Sequence, residues 1–242
     1  MNRPTQTLLA SCLLAAIAAP VGAAQAEGER LQDWPRVHSA IATDAGIERR
    51  VQQILSQMTL AQKIGQMTQA EIKTITPEQV RQYYIGSVLN GGGSWPGMDK
   101  HASVQDWLKL ADAYHVASLA TDAKTPVPVI WGTDAVHGHN NVLGATLFPH
   151  NIGLGAAGDA ELIERIGEAT ARSVRATGIG WVFAPTLAVA HDPRWGRTYE
   201  SYSSDPAVIR SFAHAYVKGA QGAFKDDGNV VTTAKHYLGD GA

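Results

Sequence analysis

The fold this sequence predicts is α/β, a parallel sheet covered by helices and arranged as an incomplete (β/α)8 barrel of the TIM type. Three observations predict it. Short apolar runs alternate with segments of helical periodicity along the chain. The runs are apolar throughout rather than on every second residue, as in strands buried on both faces. Polar residues gather directly after the runs, at Asn90 and at residues 134–141, 191–200 and 235–240. An open doubly wound sheet would satisfy the first two observations. The third favours the barrel, whose active sites lie at the C-terminal strand ends and draw on several strands.

The first residues read as a leader. Arg3 supplies a positive start, residues 8–19 form an apolar stretch that includes Leu13, Leu14 and Ile17, and Ala24-Gln25-Ala26 gives a cleavage site. That order describes a secretory signal peptide over residues 1–26, with an apolar stretch too short to span a bilayer. Cys12, the only cysteine, falls inside it, so the exported chain is expected to hold no thiol. Leu9-Ala10-Ser11-Cys12 resembles a lipoprotein box, but only Leu8 and Leu9 before it are strongly apolar. Export without lipid, to a periplasm or outside the cell, is therefore expected. Residues 27–45 are polar and irregular and read as an N-terminal arm, leaving 46–242 as the barrel domain.

Ile47, Val51, Ile54, Leu55 and Met58 repeat at helical spacing, and Thr59 can cap a second helical stretch over 61–67. Residues 85–89 read as a buried strand that ends in the turn Asn90-Gly91-Gly92-Gly93. Residues 104–119 read as a helix with Leu108, Ala111, His115 and Leu119 on one face. A strand over 128–131 leads into Gly132-Thr133-Asp134. Asp159 starts a helix over 161–176, residues 180–184 form a strand, 206–224 a helix and 230–234 a last strand. Four strands are clear, or five if residues 64–68 are the first. A closed barrel needs eight, so the chain is expected to stop inside its catalytic domain.

Composition narrows the function. Hydrophobic residues make up 45% and charged residues 17%, enough for a packed core. The chain carries 20 basic and 22 acidic residues and a formal net charge of −2. That balance offers no basic surface for nucleic acid or membrane, so a neutral partner is expected. The sequence carries no signal of oligomeric state.

Three segments carry chemistry. Asp134 follows a strand directly, and a carboxylate there can accept two sugar hydroxyls or cap the following turn. His137 and His139 raise a competitor, because a His-x-His pair at a barrel strand end can hold a zinc-type ion in a metal-dependent hydrolase. No second histidine pair follows at a strand end, and histidines hydrogen-bonded within the loop are the preferred reading. The loop 192–201 holds Arg194, Trp195, Arg197, Tyr199 and Glu200. An arginine fork there can bridge vicinal hydroxyls or brace a carboxylate, and with two arginines each could take one task. Lys235 and His236 close a strand, where both can donate to hydroxyls. A lysine at the end of a buried strand is costly unless paired, which favours function.

Together these segments resemble glycoside hydrolase family 3. The matches are Met58-Thr59-Leu60 with 63–67, Asn90-Gly91-Gly92-Gly93, Asp134-Ala135-Val136-His137-Gly138, 192–197 with Glu200-Ser201, and 235–241. They occur in the family's order. The resemblance is strongest to exo-acting β-glucan glucohydrolases. It implies a barrel followed by an α/β sandwich domain, with sugar hydroxyls bound by Asp134, Arg197, Lys235 and His236. It implies no catalytic residue within this chain, since the family's aspartate nucleophile and glutamate acid/base would fall beyond residue 242. The implied reaction is retaining hydrolysis of terminal β-D-glucosyl residues from β-glucans or oligosaccharides, with no metal and no organic cofactor. β-Xylosidase and β-N-acetylglucosaminidase activities of the same family stand as alternatives. So does a sugar-binding module without catalysis.

Overall fold

The computed structural model describes residues 42–224 and 226–241. The expected leader over 1–26, and residues 27–41 of the expected arm, lie outside them. Five short strands form the sheet: β1 (Gln69–Glu71), β2 (Ser87–Asn90), β3 (Ile130–Thr133), β4 (Trp181–Val182) and β5 (Val231–Thr232). All four pairings are parallel and the order is β1-β2-β3-β4-β5. A doubly wound sheet reverses its order at a switch point. This sheet never does, and sequential order is what a barrel requires. Among the described residues the sheet stays open.

The helices are α1 (Ala45–Gln57), α2 (Leu60–Met67), α3 (Pro77–Gln82), α4 (Val104–Leu119), α5 (Asn151–Ala157), α6 (Ala160–Arg175) and α7 (Pro206–Gln221). Caps explain where several begin. Thr59, Thr76 and Ser103 each form a reciprocal capping box with the residue three positions on. Asp159 accepts the Leu162 amide at the start of α6.

Of the two readings of residues 64–67, the helix is the one found: they belong to α2, and the first strand starts at Gln69. The capping box at Thr59 satisfies the Gln62 amide in the first turn and so favours helix for the run that follows. On α4, the residues that go inside are Trp107, Tyr114 and Ser118, while Leu108, His115 and Leu119 lie outward. Trp107 and Tyr114 bury more apolar area than leucines can, and their rings meet Trp131 of β3 at 5.7 and 5.6 Å.

The core lies between sheet and helices. Val88, Trp131 and Val182 face it from the strands, and Ile163, Val174, Phe212 and Tyr216 from α6 and α7. α6 and α7 pack closely because a Cβ on Gly219 would sit 2.0 Å from the Glu164 carbonyl oxygen. No helix among the described residues is long and apolar enough to cross a membrane.

Candidate active site

The segments after β3, β4 and β5 converge on one cleft at the C-terminal edge of the sheet. It has a volume of about 260 Å³ and is lined by Asp134, Val136, His137, Asn140, His150, Arg197, Glu200, Lys235 and His236. The four residues singled out for sugar contact thus share one cavity, although Asp134 and Lys235 lie 101 positions apart.

Asp134 is the first residue after β3. Its backbone carbonyl accepts from the buried Asn141 amide at 2.9 Å, and that amide also donates to Thr133 at 3.2 Å. Lys235 extends β5. It bridges Thr186 in parallel register, its N–H donates to the Pro185 carbonyl, and its carbonyl accepts from Leu187. Its ammonium donates to Asp134 Oδ1 at 2.7 Å, with the lysine side chain only 15% exposed. The pairing offsets the cost of holding an ammonium in a partly buried position. It also leaves Asp134 Oδ2 available to a hydroxyl.

Arg197 sits in the loop after β4, just before a 3-10 turn at Thr198–Glu200. Its guanidinium grips Glu200 with both arms, Nε to Oε1 at 2.7 Å and Nη2 to Oε2 at 2.6 Å. Burial pushes the Glu200 carboxyl up, but hydrogen bonds from Arg197 and the charges of Arg197 and Lys235 outweigh it. The net shift is below the usual glutamate range, so Glu200 is held as a carboxylate. Its carbonyl is fixed too, by the Asn151 amide and the Thr186 hydroxyl, each at 2.8 Å. α5 can bring Asn151 this close because Gly155 lies against the Tyr202 carbonyl, where a Cβ would come within 1.7 Å.

Arg197 Nη2 also lies 3.1 Å from His236 Nε2. A guanidinium only donates, so Nε2 accepts and the ring carries its proton on Nδ1, which hydrogen-bonds the Asp240 carboxylate. Burial raises the Asp240 carboxyl, and the contact with His236 more than reverses that. As arranged, His236 bridges Asp240 and Arg197 rather than presenting a free donor. A hydroxyl that contacts it must share the Arg197 bond. This differs from the expectation that the strand-end histidine simply donates.

The two tasks open to the arginines, lining the cleft and bracing the glutamate, both fall to Arg197. Arg194 makes a forked ion pair with Asp192, its own neighbour in the loop, and its side chain is 88% exposed. The Arg–Glu brace belongs to Arg197, which both holds the loop and lines the cleft. The His-x-His pair also divides. His137 Nδ1 donates to the Phe148 carbonyl at 2.8 Å, while His139 is fully buried with Nε2 3.1 Å from the Thr177 hydroxyl. Asn90 is buried under the sheet, where it accepts the Trp131 indole N–H at 2.8 Å, and does not reach the cleft. Glu200 and His150 are cleft residues that sequence reasoning did not assign.

Across residues 59–242 the sequence matches the profile of the glycosyl hydrolase family 3 N-terminal domain. The chain belongs to glycosyl hydrolase family 3. Within the family it is similar to the exo-1,3/1,4-β-glucanase of a Pseudoalteromonas species. That crystal structure is 51% identical with a TM-score of 0.81, and the match covers 86% of this chain and 26% of the other. The lysosomal β-glucosidase of Dictyostelium discoideum is 37% identical over 78% of this chain and 25% of its own length. The periplasmic β-glucosidase of Salmonella typhimurium is 26% identical over 86% of this chain and 24% of its own. β-Xylosidases also occur among the family 3 relatives. The chain thus spans about a quarter of the length of these relatives.

Proposed function

We propose that this chain provides the sugar-holding wall of a retaining exo-acting β-glucosidase, one that removes terminal non-reducing β-D-glucosyl residues from β-glucans or cello-oligosaccharides. The observation that supports it best is the set of charged groups around one cleft. A carboxylate acceptor, an ammonium and a guanidinium surround a space large enough for a monosaccharide, and the lysine is nearly buried.

Each group has a defined task. Asp134 accepts hydroxyl hydrogens, and Lys235 and Arg197 donate to hydroxyl oxygens. His236 and Glu200 hold the guanidinium so that its orientation is set before the sugar arrives. Such preorganisation helps the reaction to the extent that the contacts tighten on the distorted, positively charged sugar of the transition state. In the retaining mechanism a carboxylate attacks the anomeric carbon. A second carboxyl protonates the departing oxygen, then takes a proton from water as the glycosyl ester is hydrolysed. The two carboxyls stand about 5–5.5 Å apart. The family resemblance assigns both to sequence beyond residue 242.

Export accompanies this reading. The leader pattern over 1–26 and a periplasmic relative support a mature protein that begins near Glu27 without lipid on Cys12. A panel of nitrophenyl glycosides tests the activity. The complete gene product should show its highest kcat/KM on the β-glucoside. A higher value on the β-xyloside, in line with the xylosidase relatives, would contradict the sugar assignment, and sugar binding without turnover would contradict catalysis.

A further inference from the structure

A stack of three rings runs along the cleft wall beside the four residues already discussed. His137 comes from the loop after β3, His150 caps α5, and Tyr199 lies in the 3-10 turn after β4. The His150 ring lies 4.4 Å from His137, tilted by 41°, and 4.7 Å from Tyr199, edge-on at 84°. Both histidines line the cleft.

Hydrogen bonds fix both rings. His150 Nδ1 accepts the Asn151 N–H at 2.9 Å, so the neutral ring carries its proton on Nε2. His137 Nδ1 donates to the Phe148 carbonyl, and the Phe148 N–H returns a bond to the His137 carbonyl at 2.9 Å. Burial and the neighbouring His137 hold His150 below the ordinary histidine range, with Glu200 and the Tyr199 backbone opposing more weakly. A ring held neutral adds no positive charge to a cleft already lined by Arg197 and Lys235.

The chain of contacts leads from this ring to the arginine. His150 touches Tyr199, Tyr199 is bonded to Glu200, and Glu200 grips Arg197 through both carboxylate oxygens. The residue after His150, Asn151, holds the Glu200 carbonyl from the other side. We propose that His150 is a positioning residue, whose ring wedges the Tyr199–Glu200 turn so that Glu200 aims Arg197 into the cleft. This rests on the cleft being the sugar site. An arginine displaced by even an ångström loses most of its value to a reacting sugar.

The ring has a second task, capping α5, and two substitutions separate the tasks. Asparagine caps helices well but is too short to pack on Tyr199. Phenylalanine fills the space between His137 and Tyr199 but cannot accept the Asn151 N–H. His150→Asn should keep its Tm within about 2 °C of the wild type and lower kcat/KM on an aryl β-glucoside about tenfold or more, chiefly through KM. His150→Phe should melt lower yet lose several-fold less kcat/KM than His150→Asn. Near-wild-type kinetics for His150→Asn would overturn the proposal, as would equal losses in both variants. A crystal structure of His150→Asn gives a reading independent of activity. The proposal expects the Arg197–Glu200 fork to move away from His236, and an unmoved fork overturns it. A wild-type protein that turned over no glycoside would instead count against the sugar-site reading, and the crystal structure would still decide the role of His150.

Discussion

His139 makes a specific and measurable claim about acid stability. Its ring is fully buried, 5.8 Å from Trp107, and burial drives its pKa from 6.5 down to about 4. The Thr177 hydroxyl donates to the Val174 carbonyl at 2.6 Å, so it must accept from His139 Nε2, and the buried ring is a neutral Nε2–H tautomer. Unfolding frees the ring to titrate near 6.5. Between pH 6.5 and 4 the unfolded chain therefore binds a proton that the folded chain refuses. The contribution of His139 to stability is complete above pH 6.5, falls as pH drops through this window, and levels off below about 4. At about 1.4 kcal/mol per pH unit, the loss amounts to about 3 kcal/mol. Denaturant titrations followed by tryptophan fluorescence from pH 7.5 to 4 would measure it, with His139→Gln as the control. Glutamine can still donate to Thr177 but does not titrate. The stability difference between wild type and variant should shrink by about 3 kcal/mol across the window. Parallel curves would show that the histidine is not buried neutral, and the packing described around Trp107 would be wrong.

Other predictions follow from the same geometry. Arg197→Lys should lower kcat/KM about 10- to 100-fold, because one ammonium cannot replace a fork that engages Glu200 and His236 together. Arg194→Lys should change neither kinetics nor Tm measurably, since its ion pair with Asp192 is at the surface. An effect on Arg194 that matched Arg197 would reverse their assignments. Gly155→Ala should destabilise the protein by about 1–3 kcal/mol, because α5 must retreat from the Tyr202 carbonyl. It should also cost activity, because Asn151 moves with the helix, and a silent variant by melting and kinetics would refute this packing. Residues 27–242 expressed alone should hydrolyse no aryl β-glucoside. Turnover at a hundredth of the rate of the complete gene product would place a catalytic carboxylate within this chain.

The fold was legible where a local rule decides it. Continuous apolar runs placed β2 to β5 within two or three residues, and Asp159 marked the start of α6. α3 and α5 went unseen because they are only six and seven residues long, and α5 contains two glycines that break any periodicity. What sets α5 is the close approach of Gly155 to Tyr202, a contact between segments far apart in sequence. The extent of α4 was legible from its periodicity, but not that Trp107 and Tyr114 are the residues it buries. In the cleft, position after strand ends pointed to Asp134, Lys235 and His236, while the choice of Arg197 over Arg194 came from the family resemblance. Their pairings were not legible, because the Lys235–Asp134 bond and the Arg197–His236 contact depend on how separate strands align. Glu200, three residues after Arg197, carried a signal as the carboxylate of a brace. His150 carried none.

The most direct test of the sugar-holding cleft is kcat/KM of Asp134→Asn in the complete gene product, on an aryl β-glucoside, with Tm as the control for folding. The amide keeps the shape and one acceptor for Lys235 but loses the charge that makes its hydrogen bonds strong. Hydrogen bonds to a charged group contribute about 1.5–3 kcal/mol, which corresponds to about a 10- to 150-fold fall in kcat/KM. Glucose should weaken as a competitive inhibitor in the same variant. A folded Asp134→Asn protein within about twofold of the wild type in both measurements would contradict the assignment of this cleft to the sugar.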